Sequence, residues 1–167
     1  MNHRNVVLFA AIAATAIVAI RVAHADEPLI RAYVDPSRNL RVVTSSGNDL
    51  RITSRSRYQD AKLAPDGRTF GALVVSKRSH DLQADDVPVC ETLLIFRNGR
   101  IIQTLTPGGF IRAWGFSGDG TQVALYSGAL HFAGWYTLLD LESGVQVATS
   151  QDPVTEQSPP WVRALFQ

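Results

Sequence analysis

Cysteine is almost missing from this chain of 167 residues: Cys90 stands alone. No intramolecular disulfide can form, so the core has to hold through burial. Histidine is scarce too. Beyond residue 25 only His80 and His131 remain, and neither stands at a spacing that a zinc site or a nucleophile motif requires. Nor is there a surplus of positive charge. The whole chain is formally +1, and with Arg4 and Arg21 set aside 14 Lys and Arg face 15 Asp and Glu, about −1. A phosphate-binding face needs concentrated basic charge, so nucleic acid is excluded as a partner class. Arg51, Arg55 and Arg57 do cluster, but three arginines at a strand end read as a solvated edge that resists unwanted pairing. No Gly-rich phosphate loop opens a helix, and no serine stands in a Gly-x-Ser-x-Gly elbow. No residue is therefore assigned as catalytic, cofactor-binding or metal-ligating, and no cofactor is implied.

Long apolar runs are missing as well, except at the start. Asn2, His3 and Arg4 are followed by Val6 to Ile20, fifteen residues without charge. As a helix this run reaches only about 22 Å, short of a hydrocarbon core of about 30 Å. Ala23-His24-Ala25 then supplies small residues at alternate positions, which predicts a signal peptide over 1–25 cut between Ala25 and Asp26. The expected mature chain, Asp26 to Gln167, is a single β domain in the periplasm or outside the cell, with no stable membrane span after cleavage. An uncleaved anchor is the alternative, kept open by Arg21.

What the rest of the chain has is strands. After Pro28, apolar blocks of four to eight residues alternate with Gly, Asp, Asn, Ser and Pro, and no window sustains helical spacing. Two segments align as strand, Asp-Gly turn, strand: Ala61 to Leu73 around Asp66-Gly67, and Trp114 to Leu125 around Asp119-Gly120. In the first, Pro65 presets a type I turn, Asp66 bonds back to the backbone and Gly67 takes the left-handed position; the second keeps Asp119 and Gly120 but has Gly118 in place of Pro, which predicts a looser turn in the unfolded chain. Gly47, Gly99 and Gly144 mark a second, interleaved series of hairpins. The full repeat is 52 residues from Gly47 to Gly99 and 45 from Gly99 to Gly144. Periods of about 40 to 50 residues with four strands each mark propeller blades.

Leu63-Ala64-Pro65-Asp66-Gly67-Arg68 and Phe116-Ser117-Gly118-Asp119-Gly120-Thr121 resemble the WD-like β-propeller repeat of TolB type, and Leu50-Arg51-Ile52-Thr53 is similar to the outer strand leading into such a repeat. The resemblance spans about Leu40 to Thr149. It implies an all-β fold of antiparallel four-stranded blades, a partial β-propeller, after the N-terminal signal helix. The propellers of that family serve as docking platforms and as gates on peptidases. The blade count is short: outer strands over Leu40 to Ser54, four-strand units over Tyr58 to Thr104 and Ile111 to Thr149, and one inner strand near Trp161 to Ala164. A closed propeller has four to eight blades. Trp161 to Gln167 is expected to pair with the N-terminal strands into a third sheet. A ring of several chains and a smaller stack of sheets are the other possibilities.

Two links between strands stand out. Lys77 to Val89 is a charged insertion in which His80, Asp81, Asp85 and Asp86 form a candidate ligand or partner loop, set against a solvated loop because the acids lack the calcium spacing. Leu130 to Trp135 is apolar and is expected to pack under the sheet, with an aromatic contact to a partner as the alternative. Cys90 reads as a buried structural thiol, against an intermolecular bridge or a reactive group. Together these features point to an exported, non-enzymatic interaction module that binds an unidentified envelope or extracellular protein or a copy of itself. The alternative is an enzyme or accessory subunit of hydrolase type with its site on residues 77–89.

Overall fold

The computed structural model describes residues 27–53, 57–76, 88–129, 133–151 and 153–166. The expected signal helix and its cleavage residues Ala23, Ala25 and Asp26 lie outside them. Among the described residues, no helix is long and apolar enough to cross a membrane.

The chain is all-β. Eleven strands form three antiparallel sheets among the described residues, each a meander in chain order. Sheet 1 holds β1 (Leu29–Val34), β2 (Leu40–Thr44) and β3 (Asp49–Arg51). Sheet 2 holds β4 (Tyr58–Leu63), β5 (Thr69–Val75), β6 (Cys90–Arg97) and β7 (Arg100–Leu105). Sheet 3 holds β8 (Phe110–Phe116), β9 (Gln122–Gly128), β10 (Trp135–Asp140) and β11 (Gln146–Gln151). The two four-strand units thus fall where the repeat predicts them. The first sheet has a strand, β1, that the turn series does not reveal.

Turn chemistry sets this meander. The first hairpin of every sheet has a five-residue loop, 35–39, 64–68 and 117–121, and each loop is closed by an aspartate. Asp66 accepts the backbone N–H groups of Arg68 and Thr69 at 2.9 and 2.8 Å and the Thr69 hydroxyl at 2.6 Å. Asp119 accepts the Ser117 hydroxyl at 2.6 Å and the Thr121 N–H and hydroxyl at 3.1 and 2.9 Å. Asp35 does the same for Asn39, taking its N–H at 2.9 Å and its side-chain amide at 3.0 Å. The left-handed position falls on Gly67 (φ +64°) and Gly120 (φ +72°), where a side chain is disfavoured. The last hairpin of each sheet turns at Gly47, Gly99 and Gly144, all with positive φ.

Sheet 2 is the middle of three layers, so both of its faces are buried. Toward sheet 1 it presents Tyr58, Phe70, Ala72, Leu94 and Phe96 against Leu40 and Val42. Phe70 and Phe96, directly paired across β5 and β6, stack with centroids 5.0 Å apart. Toward sheet 3 it presents Leu73, Leu93 and Ile95 against Ile111, Trp114, Val123 and Leu125. Trp114 is 1% exposed and lies over Gly71, where a Cβ would come within 2.8 Å of its ring carbons. Glycine is required there by this close approach.

The C-terminal segment departs from expectation. Trp161 to Ala164 is not an inner strand and does not complete sheet 1: α1 (Pro160–Arg163) continues into a 3-10 turn over Ala164–Phe166. Val162, fully buried, packs with Trp161 and Leu165 on Tyr126 and Tyr136 of sheet 3. The physical reason is visible in the residues. Pro160 opens the segment without an N–H to lose, its φ favours a helical first turn, and helical spacing puts Trp161 and Leu165 on one face.

Candidate functional site

The carboxylates within the described structure mostly hold the fold. Hydrogen bonds from the Ser117 hydroxyl, then from the Thr121 N–H and hydroxyl, hold Asp119 down at about 2. At Asp66 burial pushes upward, but the bonds from Thr69 and Arg68 outweigh it and the group stays below the usual carboxylate range. On the outer face of sheet 1, Asp49 accepts the Tyr33 hydroxyl at 2.7 Å and pairs with Arg41 at 3.0 Å. These acids are engaged in turns and ladders. Among the described residues, no group of three His, Cys, Asp or Glu is placed to hold a metal ion. The candidate loop with His80, Asp81, Asp85 and Asp86 lies outside the described residues, as does His131.

Cys90, at the start of β6, is buried at 3% exposure. Burial first, and then the Asp60 charge, push its thiol up to about 11. A thiol in that state is hardly nucleophilic at neutral pH. The structural role expected for it fits this environment.

A different surface gathers binding chemistry. Where sheets 2 and 3 diverge, a cleft of about 470 Å³ opens between the end of β7 with its following link, Thr104 to Gly109, and the facing side of β9, β10 and β11. Its volume falls within the range of about 300–1,000 Å³ typical of ligand sites. Hydroxyls of Thr137, Thr149 and Ser127 and the amide of Gln146 line it beside Leu125 and Leu139. Among the described residues, none of the side chains lining it carries a charge. The pleat explains the composition. Trp135, Thr137 and Leu139 sit on one side of β10, and the cross-strand pairs Thr137 with Leu125 and Thr149 keep their neighbours on that same side.

Trp135 stands at this cleft with 51% of its surface exposed. Residues 130–135 were expected to pack under the sheet. Trp135 does not, and Leu130 to Phe132 lie outside the described residues. Two further apolar side chains sit on the same hairpin: Val145 and Val147 are 61% and 54% exposed, so among the described residues three of the five exposed large hydrophobic side chains fall on β10, β11 and their turn. β11 is also the end strand of its sheet. An apolar, half-exposed tryptophan beside a free strand edge is the composition of a contact surface. From sequence, Pro107-Gly108-Gly109 and the neutral run Gln146 to Gln151 were the available signals, but neither carries a motif.

No family model matches the chain, and no curated protein was found to be similar to it.

Proposed function

We propose that this protein is an exported, non-enzymatic interaction module that engages another protein through the β10–β11 hairpin and the adjoining cleft. One observation carries the proposal: the exposed apolar side chains Trp135, Val145 and Val147 concentrate on one hairpin, next to a concave surface whose described lining side chains carry no charge. Large aromatic side chains that stand half in water and half on an apolar wall supply most of the energy of protein contacts. The cleft's side chains offer hydrogen bonds and apolar surface. Among the described residues no acid or base lines it beside these hydroxyls, a composition that supports holding a partner. Export rests on the N-terminal pattern, with Asp26 as the first residue of the mature protein.

The test is site-specific photocrosslinking in the producing cell. A photoreactive residue at Val147 should trap one defined partner, whereas one at Arg31, on the outer face of sheet 1, should not. Equal trapping from both positions would overturn the proposal. So would turnover in hydrolase assays of the mature protein that His80→Ala abolishes. Mass spectrometry of the secreted or periplasmic form checks the predicted start at Asp26.

A further inference from the structure

We infer that the edge of β11, unpaired among the described residues, takes up an extended, uncharged segment of the partner as a fifth strand of sheet 3, with alternate side chains entering the cleft beside Trp135. This rests on the hairpin being the interaction surface, and it names the mode and chemistry of recognition there.

The first observation is a contrast among edges. The three sheets end in six strands, β1, β3, β4, β7, β8 and β11. Five carry charge: Arg31 on β1, Asp49 and Arg51 on β3, Asp60 and Lys62 on β4, Arg100 on β7, and Arg112 on β8. β11 carries none, reading Gln146-Val147-Ala148-Thr149-Ser150-Gln151. Charges on an edge are a common protection against pairing with foreign strands, because a pairing partner would have to desolvate them. An edge left bare of them, without proline, is open to such pairing along Ala148 to Gln151, past the register shift at Val147. Only another extended backbone matches a row of N–H and C=O groups at strand spacing.

The second observation is the cleft beside that edge. Thr149 of β11 lines it, so residues of an added strand lying opposite Thr149 face the same side and continue the cleft wall. Long side chains at those positions reach toward Trp135 one strand further in. A charged side chain would be buried there without a partner, which costs far more than burying a neutral one. Selection therefore acts on every second residue of the segment and favours uncharged ones.

A second copy of this chain fits less well as occupant. β11 has six residues, about 20 Å of strand, and two rigid bodies meeting along that line bury far less than the roughly 1,000 Å² a specific interface needs. A flexible segment can pair with the edge and fill the cleft together. A neutral oligosaccharide suits the cleft but has no backbone row to match the edge.

The test uses the mature protein and labelled peptides of about ten residues, built from Val, Thr and Gln, with binding read by fluorescence polarisation. The neutral peptide should bind saturably. Lys at one set of alternate positions should weaken binding about tenfold or more while Lys at the other set is tolerated. N-methylation of one alternate set of amides should abolish binding, and Trp135→Ala should weaken it about tenfold with the circular dichroism spectrum unchanged. Binding that ignores N-methylation would overturn strand addition. If Val147 still traps its partner in cells, the interaction surface stands and only the mode falls; if it traps nothing, both fall. Concentration-dependent dimers blocked by Val147→Glu, with the peptides inert, would assign the edge to a second copy. Maltoheptaose binding lost in Trp135→Ala, with the peptides inert, would assign the cleft to a glycan.

Discussion

Gly71→Ala tests the contact that joins sheet 3 to the middle layer. A Cβ at Gly71 would lie 2.8 Å from two ring carbons of Trp114 and 2.9 Å from Ile95 Cδ1. Carbon atoms in contact prefer about 3.5–4.0 Å, so the ring has to retreat by about 0.7 Å or more. Ile95 can swing its terminal methyl away. Trp114 has little freedom, because it is 1% exposed, meets Phe116 edge-on at 5.5 Å and lies under the Lys62 ammonium at 5.3 Å. Overpacking of this kind costs about 1–3 kcal/mol, while replacing glycine in a strand returns about 0.5–1 kcal/mol. The expected net loss is about 1–2 kcal/mol. In urea the midpoint should fall with the slope unchanged. In a Trp114→Phe background, where those ring atoms are missing, the same change should be close to neutral, which a double-mutant cycle measures as coupling. A Gly71→Ala protein as stable as the parent, or more so, would refute the seating of Trp114 on this glycine.

Asp119 is held at about 2, below the usual carboxylate value of about 4, so the folded protein binds its proton more weakly than the unfolded chain does. Its contribution is therefore present above about pH 4 and lost as pH falls toward 2, and Asp119→Asn should flatten the acid limb of a pH titration of stability over that window. Cys90, with its thiol pushed up to about 11, should react with a thiol reagent at pH 8 only after unfolding, which a colorimetric assay with and without denaturant will show. Val162→Ala, at a fully buried contact with Tyr126 and Tyr136, should cost about 1–3 kcal/mol in a urea melt. Removing residues 160–167 should bare those tyrosines and bring on dye binding and self-association while leaving sheet 1 paired.

What could be read from sequence was what local chemistry fixes. Asp66-Gly67 and Asp119-Gly120 announce their hairpins because a carboxylate that accepts backbone N–H groups and a residue free to adopt positive φ make a turn by themselves. Asp35 makes the same closure, but Arg38 takes the positive φ in place of a glycine, so the first repeat lacks the pair that gives the others away. The C-terminal turn of helix was missed because a run as short as Trp161 to Phe166 fits strand and helix alike; Pro160 and the surface on Tyr126 and Tyr136 decide it. Trp135 was misplaced for a reason that local sequence cannot hold. Whether an aromatic on a strand meets a facing sheet or an open cleft depends on where β7 ends, and it ends at Leu105, leaving the link to Gly109 to form the far wall.

The two outer faces of the stack of three sheets differ in what they offer another sheet. The outward side of sheet 1 is a polar ladder: Arg31 lies 4.5 Å over the Tyr33 ring, Tyr33 donates to Asp49, and Asp49 pairs with Arg41. Another blade landing there would strip water from two arginines and an aspartate, a desolvation that apolar contact with the few remaining groups does not offset. The outward side of sheet 3 carries Tyr126 and Tyr136, which the chain's own α1 already covers. Face-to-face growth is thus opposed at one end by charge and at the other by occupation. The rim is different, because edge strands end there whether or not the faces are covered. Among the described residues, charge lies on every edge strand but β11. A stack of sheets protected in this way at its faces directs association to a single strand, and adding a strand there lengthens one sheet without covering either face.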